Sequence, residues 1–213
     1  MTDDRARALE LTPVSRETAA RLDRLVEFLL PWAERTNLIA RSTIPQIWTR
    51  HIADSLQLLA LAPDARVWVD LGSGAGFPGL VIACAIAERA GAAVHLVESN
   101  GKKATFLREA VKHLEVPATV HPVRIEDFVK NHALKPDVVT ARALAPLNNL
   151  LALAQPLLKR GALGLFPKGQ DVGVELTEAS KSWTIKADLV PSKTNPASRI
   201  VMVRRLAKRS DHK

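Results

Sequence analysis

Apolar positions change their period once along the chain. Through "SRETAARLDRLVEFLLPWAERTN" they fall at Leu22, Leu25, Val26, Leu29 and Leu30, the spacing of one helical face. Ser15 supplies an N-cap, and Pro31 is expected to kink or end the helix. "IPQIWTRHIADSLQLLAL" predicts a second helix, with Pro45 in its first turn and an apolar stripe of Ile47, Trp48, Ile52, Leu56 and Leu59. From Arg66 onward, short apolar runs alternate with amphipathic stretches. "RVWVDL", "AVHLVE", "ATVHPV", "PDVVTAR" and "ALGLFPKG" read as strands. "PGLVIACAIAERA", "KKATFLREAVKHLE", "IEDFVK", "APLNNLLALAQPLLKR" and "DVGVELTEASKSW" read as the helical segments that follow them. Two last strands, "TIKADLVP" and "RIVMVRRL", flank the turn-rich "SKTNPAS" with no helix between them, which predicts an antiparallel hairpin at a sheet edge.

Strand–helix alternation of this kind specifies a mainly parallel sheet covered on both faces, with ligands at the carboxyl ends of the strands. The helical region 1–64 is too small to bury both its stripes alone. It is expected to be an extension of the sheet domain, 65–213, the two forming one structural unit.

Composition narrows the class. Hydrophobic residues make up 47% of the 213, enough for a full core. No apolar run approaches the roughly 20 residues that span a bilayer. The opening "MTDDRARALE" is acidic and lacks the apolar centre of a signal peptide, so a cytoplasmic protein is expected. A single cysteine, Cys84, excludes internal disulfides and multi-cysteine metal sites, and it lies in an apolar helix as a core residue. His95, His113 and His121 lack ligand spacing, so no metal is nominated. The net charge of +8 favours a phosphate-rich partner. Some of that charge is clustered, in "NGKK" and in "VMVRRLAKRS", where the C-terminal tail begins. Aromatics are only 4% and Tyr is absent, which argues against an extended base-stacking platform.

The densest chemical signal is "WVDLGSGAGFPGL". Gly72, Gly74, Gly76 and Gly79 follow a strand and open a helix, the place where backbone approaches a ligand closely. Gly74, Gly76 and Gly79 satisfy G-x-G-x-x-G, a weak pattern alone. Asp70, just before the glycines, would repel a pyrophosphate at the helix N-terminus and welcome a cation. S-adenosylmethionine carries a sulfonium and an ammonium at one end, so Asp70 is expected near that end, directly or through water. Glu98 ends the second strand, where an acid reaches a ribose diol. That serves S-adenosylmethionine and NAD equally.

Beyond this loop, "ESNGKKATFLREA", "RIEDF", "TARALAPL", "FPKGQ" and the N-terminal "NLIARSTIPQIWTRHIADSLQL" stand in the order and spacing of one family. From about Leu25 to about Gln170 the chain resembles the RsmG (GidB) family. Ala75 and Phe77 stand where the family often has Pro and an aliphatic residue. The resemblance implies a Rossmann-like class I methyltransferase fold of seven strands, and methyl transfer from S-adenosylmethionine to guanine N7 in 16S ribosomal RNA or the small ribosomal subunit. It implies that Gly72 and Phe77 line the cofactor, that Ile125 and Glu126 frame the adenine, and that Arg142 sits beside the methionine part and the substrate entrance.

Guanine N7 has a free lone pair and no proton at neutral pH, so its attack on a sulfonium methyl requires no general base. Catalysis is then alignment and exclusion of water. Arg142 is accordingly expected to position rather than to move protons, binding guanine O6, a phosphate or the cofactor carboxylate. Lys168, after the fifth strand, is expected to contact RNA phosphate, as are Arg204 and Arg205. His51, Asp54 and Ser55 lie within one helical turn and cannot form a nucleophile–base–orienter array. They read as fasteners between extension and domain, with Asp54 and Arg50 an ordinary i,i+4 pair. A monomer is expected, since no spare apolar stripe is evident. Three other readings stay open: a methyltransferase for another substrate, an NAD-dependent oxidoreductase, and a noncatalytic RNA-binding protein. Fold alone separates none of them.

Overall fold

The computed structural model describes residues 2–209. Of the basic C-terminal tail expected to meet RNA or do nothing, residues 210–213 lie outside the described ones.

Seven strands form one sheet: β1 (Val67–Leu71), β2 (Ala93–Val97), β3 (Ala118–His121), β4 (Val138–Thr140), β5 (Leu163–Lys168), β6 (Trp183–Pro191) and β7 (Arg199–Lys208). Their order is β3-β2-β1-β4-β5-β7-β6. β3, β2, β1, β4 and β5 are mutually parallel, and β7 runs antiparallel to both β5 and β6. The expected closing hairpin is therefore present, with its second strand inserted between β5 and the edge. β1 to β5 each lead into one of the helices α4 (Gly79–Ala85), α5 (Gly101–Leu114), α6 (Ile125–Asn131), α7 (Leu147–Lys159) and α8 (Val172–Ser182).

Side chains leave a strand alternately to the two faces, so each face has its own core. Trp68, Leu96 and Val138 point to a cluster with Leu80 of α4 and Phe106 of α5. Val69, Leu71 and Val139 point to the other, with Phe128, Leu151 and Ala179 of α6, α7 and α8. The N-terminal region joins the first cluster: Leu22, Leu25 and Leu29 of α2 (Arg16–Arg35), together with Trp48 and Ile52, are fully or nearly fully buried there.

Three features differ from the sequence expectation. Helix α1 (Thr2–Leu11), which too few apolar positions announce, buries Ala8, and Asp4 accepts hydrogen bonds from the N–H groups of Trp48 and Thr49. Arg5 of α1 forms a two-pronged ion pair with Asp23. Second, α2 runs through Pro31 to Arg35. Pro31 is exposed and so is Glu27, so the helical carbonyl that loses its donor lies on the wet side. Third, residues 41–61 are not one regular helix. Arg41–Gln46 is a 3₁₀ turn, Trp48–Ala53 is π-helical, α3 (Asp54–Leu56) is a single α turn, and Gln57–Leu61 is again 3₁₀.

The order of strands reverses between β1 and β4, since β1 leads leftward to β2 and β4 rightward to β5. Their carboxyl ends border the crevice where open α/β sheets bind ligands. The glycine turn leaves β1 there, and Arg142 follows β4.

Candidate cofactor and substrate site

The turn after β1 is held from beneath by two acids. Asp70 is 1% exposed; its Oδ2 accepts the N–H of Gly79 at 3.1 Å and its Oδ1 the hydroxyl of Thr140 at 3.0 Å. Glu98 is 8% exposed; its Oε2 accepts the N–H of Gly74 at 2.9 Å and its Oε1 that of Asn100 at 2.7 Å. Two positions show why the turn is glycine. At Gly74, φ is +55° and an added Cβ would find nothing nearer than the Gly72 carbonyl oxygen at 3.8 Å, so bare backbone faces the crevice. At Gly79 a Cβ would stand 2.3 Å from Leu96 Cδ2 and 2.7 Å from Asp70 Oδ2, so the helix can start this close to β1 only without a side chain.

Above the turn lies a cavity of about 350 Å³ lined by Leu38, Ile39 and Ala40 on one side, Gly72, Ser73, Gly74, Ala75 and Phe77 on another, and His51, Lys103, Arg142 and Ala143. Phe77 forms the base of a small stack. The His51 ring lies parallel to it, centroids 4.9 Å apart and 16° between planes, and the Arg142 guanidinium sits 5.3 Å over its centre.

Arg142 is fixed by the N-terminal region. Its Nη1 donates to the Arg50 carbonyl at 3.0 Å and to Asp54 Oδ2 at 3.4 Å, and its Nη2 donates to His51 Nδ1 at 2.8 Å. Because arginine only donates, His51 Nδ1 must be the acceptor, which leaves the proton on Nε2. That proton goes to Thr43 Oγ1 at 2.9 Å, and Thr43 in turn donates to the Ala40 carbonyl at 2.7 Å. Burial first, then the Arg142 and Arg50 cations, hold the His51 pKa down to about 3, so the relay keeps a neutral imidazole throughout the physiological range. Burial also lowers the Arg142 pKa, and Asp54 and Asp70 oppose that. Of five guanidinium N–H donors, Nε–H and one on Nη2 have no partner among the described residues and remain for a ligand.

Arg50, His51 and Asp54 reach this convergence from the π-helical turn Trp48–Ala53 and the first residue after it. The expected Arg50–Asp54 pair is replaced by Asp54–Arg142. Asp54 Oδ1 also accepts from Gln57 at 2.8 Å and from Thr194 at 2.8 Å, so one carboxylate ties the helical segment, the β4 end and the β6–β7 loop together. His51 and Asp54 are thus fasteners, as expected, but His51 also walls the cavity.

The other residues singled out in the sequence divide. Gly72, Gly74, Phe77 and Arg142 line the cavity. Gly76 shapes the turn at φ +85°. Asp70 does not line the cavity; buried beneath it, its carboxylate joins the turn to β4 through Gly79 and Thr140, and burial raises its pKa to about 6. Ile125, half-buried, and Glu126, exposed, open α6 beyond β3 and lie outside the lining. Lys168 does not face open solvent as an RNA contact would: its Nζ pairs with Glu175 at 2.6 Å and donates to the Ala145 carbonyl at 2.8 Å. Arg204 and Arg205 follow Val203, which pairs with Gly164 near the start of β5, so they lie toward the opposite end of the sheet. Arg204 is paired there with Asp188 at 2.9 Å. His95 and His121, on adjacent strands, bond at 3.0 Å, whereas His113 stacks on Phe28 at 4.8 Å. Cys84 is buried, and burial pushes its thiol up to about 12. Sequence reasoning missed α1, the Leu38–Ala40 wall and the place of Lys103 in the cavity lining. The wall's only signal was two apolar residues after a helix end.

Comparison with known proteins agrees with this geometry. The family model described as rRNA small subunit methyltransferase G matches residues 18–201. A protein named ribosomal RNA small subunit methyltransferase G from Bradyrhizobium sp. strain BTAi1 is 60% identical over 94% of this chain and 90% of its own length. One of the same name from Bradyrhizobium sp. strain ORS 278 is 57% identical over 99% and 95%. An O-methyltransferase from Bacillus cereus, solved in complex with SAH, shares the fold at a TM-score of 0.60 and 15% identity over 85% of this chain and 91% of its own. The glycine turn, the buried acid at its base and the arginine anchored across the crevice therefore stand on a methyltransferase fold, and the chain belongs to the rRNA small subunit methyltransferase G (GidB) family.

Proposed function

We propose that this protein transfers a methyl group from S-adenosylmethionine to N7 of a guanine in 16S ribosomal RNA, free or within the small ribosomal subunit. Family membership supplies the reaction class. The observation that carries the site is the crevice itself, where the bare Gly72–Gly74 backbone faces an arginine that keeps two free donors.

The residues fit the cofactor. Glu98 sits beneath the turn with lone pairs left over for a ribose hydroxyl, because each of its oxygens accepts only one backbone N–H. Ile125 and Glu126, at the same end of the sheet, frame the adenine. Asp70 acts through space and through the turn it holds, favouring a cationic methionine end. The free Arg142 donors take an anionic group, the cofactor carboxylate or a phosphate. S-adenosylmethionine, when bound, supplies a methyl on a sulfonium; the S–C bond breaks with its electron pair left on sulfur as the N7–C bond forms. No proton leaves N7, and the residues around the cavity match that requirement. His51 is neutral but holds its one proton toward Thr43, and its basic nitrogen is occupied by Arg142. The chain's contribution is placement: Phe77, His51 and Arg142 form a rigid wall that excludes water and fixes the approach.

Among the described residues only Val174 and Leu189 are large hydrophobic side chains standing exposed, which supports a monomer. No described helix is long and apolar enough to cross a membrane. A cytoplasmic enzyme meeting its RNA there is the consistent reading.

The test is methyl transfer from labelled cofactor to unmodified 16S rRNA and small subunits, followed by cleavage at 7-methylguanosine and mass mapping of the fragment. One methyl on a guanine N7 is the expected result. Transfer to a carbon, to a ribose oxygen, or to no RNA at all overturns the proposal.

A further inference from the structure

Beside the cofactor cavity lies a second one, of about 370 Å³, that the proposed cofactor site leaves unused. The two cavities have only His51 and Arg142 in common. Three segments remote in sequence build the second: α1, the 3₁₀–π segment, and the β6–β7 loop around Asn195. Each is tied in place. Asp4 of α1 accepts from Trp48 N–H at 2.9 Å and from the Thr49 hydroxyl. The loop is fastened by Thr194 to Asp54 at 2.8 Å and by the Lys193 N–H to Gln57 Oε1 at 2.8 Å.

These ties decide the electrostatics. Both carboxylates in the lining, Asp4 and Asp54, are spent on internal partners. The two other cations of the lining are not. Arg7 and Arg50 are exposed, and neither guanidinium has an ion-pair partner among the described residues. The result is a polar recess with satisfied acids inside and two unpaired guanidinia, opening next to the arginine that closes the cofactor cavity. Gln46, Thr49 and Asn195 add neutral donors and acceptors, and no Phe, Tyr or Trp lines it. Such a recess recognises a phosphodiester with polar sugar and base edges rather than an unstacked base on an aromatic platform.

We propose that this second cavity holds the RNA phosphodiester directly adjoining the acceptor guanine, with Arg7 and Arg50 as its two phosphate contacts. This rests on the proposed function. It makes the N-terminal region and the β6–β7 loop the RNA-facing wall, and it gives α1 a role besides packing. It also accounts for the shared His51–Arg142 boundary: a strand gripped on one side of that boundary presents its neighbouring nucleotide to the other.

The test compares wild type with the double variant Arg7→Gln/Arg50→Gln and the charge-keeping Arg7→Lys/Arg50→Lys. RNA affinity is read at several salt concentrations, KM and kcat by methyl transfer, and S-adenosylmethionine affinity by calorimetry. The Gln pair is expected to raise KM for RNA at least about tenfold and to flatten the slope of log affinity against log salt by roughly 0.7–0.9, the value for the one phosphate that is no longer neutralised. S-adenosylmethionine affinity is expected to stay within about twofold, which also reports a folded protein, and the Lys pair to recover most of the slope. An active wild type with an unchanged Gln pair overturns this inference alone. Parallel loss of S-adenosylmethionine affinity overturns it too, by placing the arginines in the cofactor cavity. A wild type that binds S-adenosylmethionine and methylates no RNA overturns the proposed function and this inference with it.

Discussion

The glycine turn and Arg142 face the same cavity but are held over very different chain distances. Asp70 lies nine residues from Gly79, and Glu98 24 residues from Gly74. The groups that hold Arg142, namely Asp54, His51 and Arg50, lie 88, 91 and 92 residues away from it. The turn is thus a local structure of one strand–turn–helix unit and its neighbour strand, whereas the arginine wall exists only when the N-terminal region has docked. A local constraint is steric and absolute. A remote one is electrostatic and adjustable, and its loss should impair positioning more than binding.

Gly79→Ala tests the steric half and carries the largest expected effect. The new Cβ would meet Leu96 Cδ2 and Asp70 Oδ2 in a fully packed region. Overpacking there costs roughly 1–3 kcal/mol, and since the strain falls on the turn itself, S-adenosylmethionine affinity is expected to fall by up to about a hundredfold. Calorimetric titration with a parallel thermal melt checks it. Affinity within a few-fold of wild type would show that the turn is less constrained than the arginine wall, reversing the comparison.

Arg142→Lys tests the remote half. Lysine keeps the charge but cannot give separate hydrogen bonds to the Arg50 carbonyl, Asp54 and His51 in one plane. Turnover is expected to fall by about tenfold or more while S-adenosylmethionine affinity changes by less, because misplacement of the wall costs mainly alignment. Wild-type turnover in the Lys variant would remove Arg142 from the site.

The same division explains what could be read in the sequence. All seven strands and the helices that follow β1 to β5 announce themselves by period and by turn residues, because each pattern is satisfied within its own unit. The glycine turn and Glu98 were legible for that reason. The N-terminal region was legible only in part: the α2 stripe and its Ser15 N-cap were, but α1, the passage through Pro31 and the winding of residues 41–61 were not. α2 passes Pro31 because tertiary burial of Leu22, Leu25 and Leu29 outweighs one missing bond on a wet face. Arg142 lies 88 residues from Asp54, so the pairing of Asp54 with Arg142 in place of Arg50 could not be foreseen from local pattern. Lys168 looked solvent-facing because its partner, Glu175, comes from the next helix. Arg204 and Arg205 looked functional because charge density along a chain carries no information about which end of a strand it occupies.

Asp70→Asn offers the smallest and most discriminating test, because it separates the turn's shape from its charge. The amide is nearly isosteric: its carbonyl can accept from the Gly79 N–H and its NH₂ can donate to Thr140 Oγ1, leaving the Thr140 hydroxyl to turn to the Val69 carbonyl. In the wild type, burial raises the carboxyl from 3.8 to about 6. Between those values the native protein holds a proton that the unfolded chain has released, so this group's contribution to stability is full below about 4 and is lost as pH rises through about 6. The ionised carboxylate is a cost at pH 7.5, and Asp70→Asn is expected to melt no lower than wild type there. Its melting temperature should also lack the wild type's decline across that window. Binding should go the other way. A cationic methionine end favours the ionised form, so wild-type affinity for S-adenosylmethionine is expected to weaken as pH falls below about 6, and the Asn variant should show the weaker affinity, by a few-fold, at every pH. Equal affinity and equal pH dependence in the two proteins would mean that Asp70 serves the turn by shape alone, and the cation preference would then have to come from Glu98.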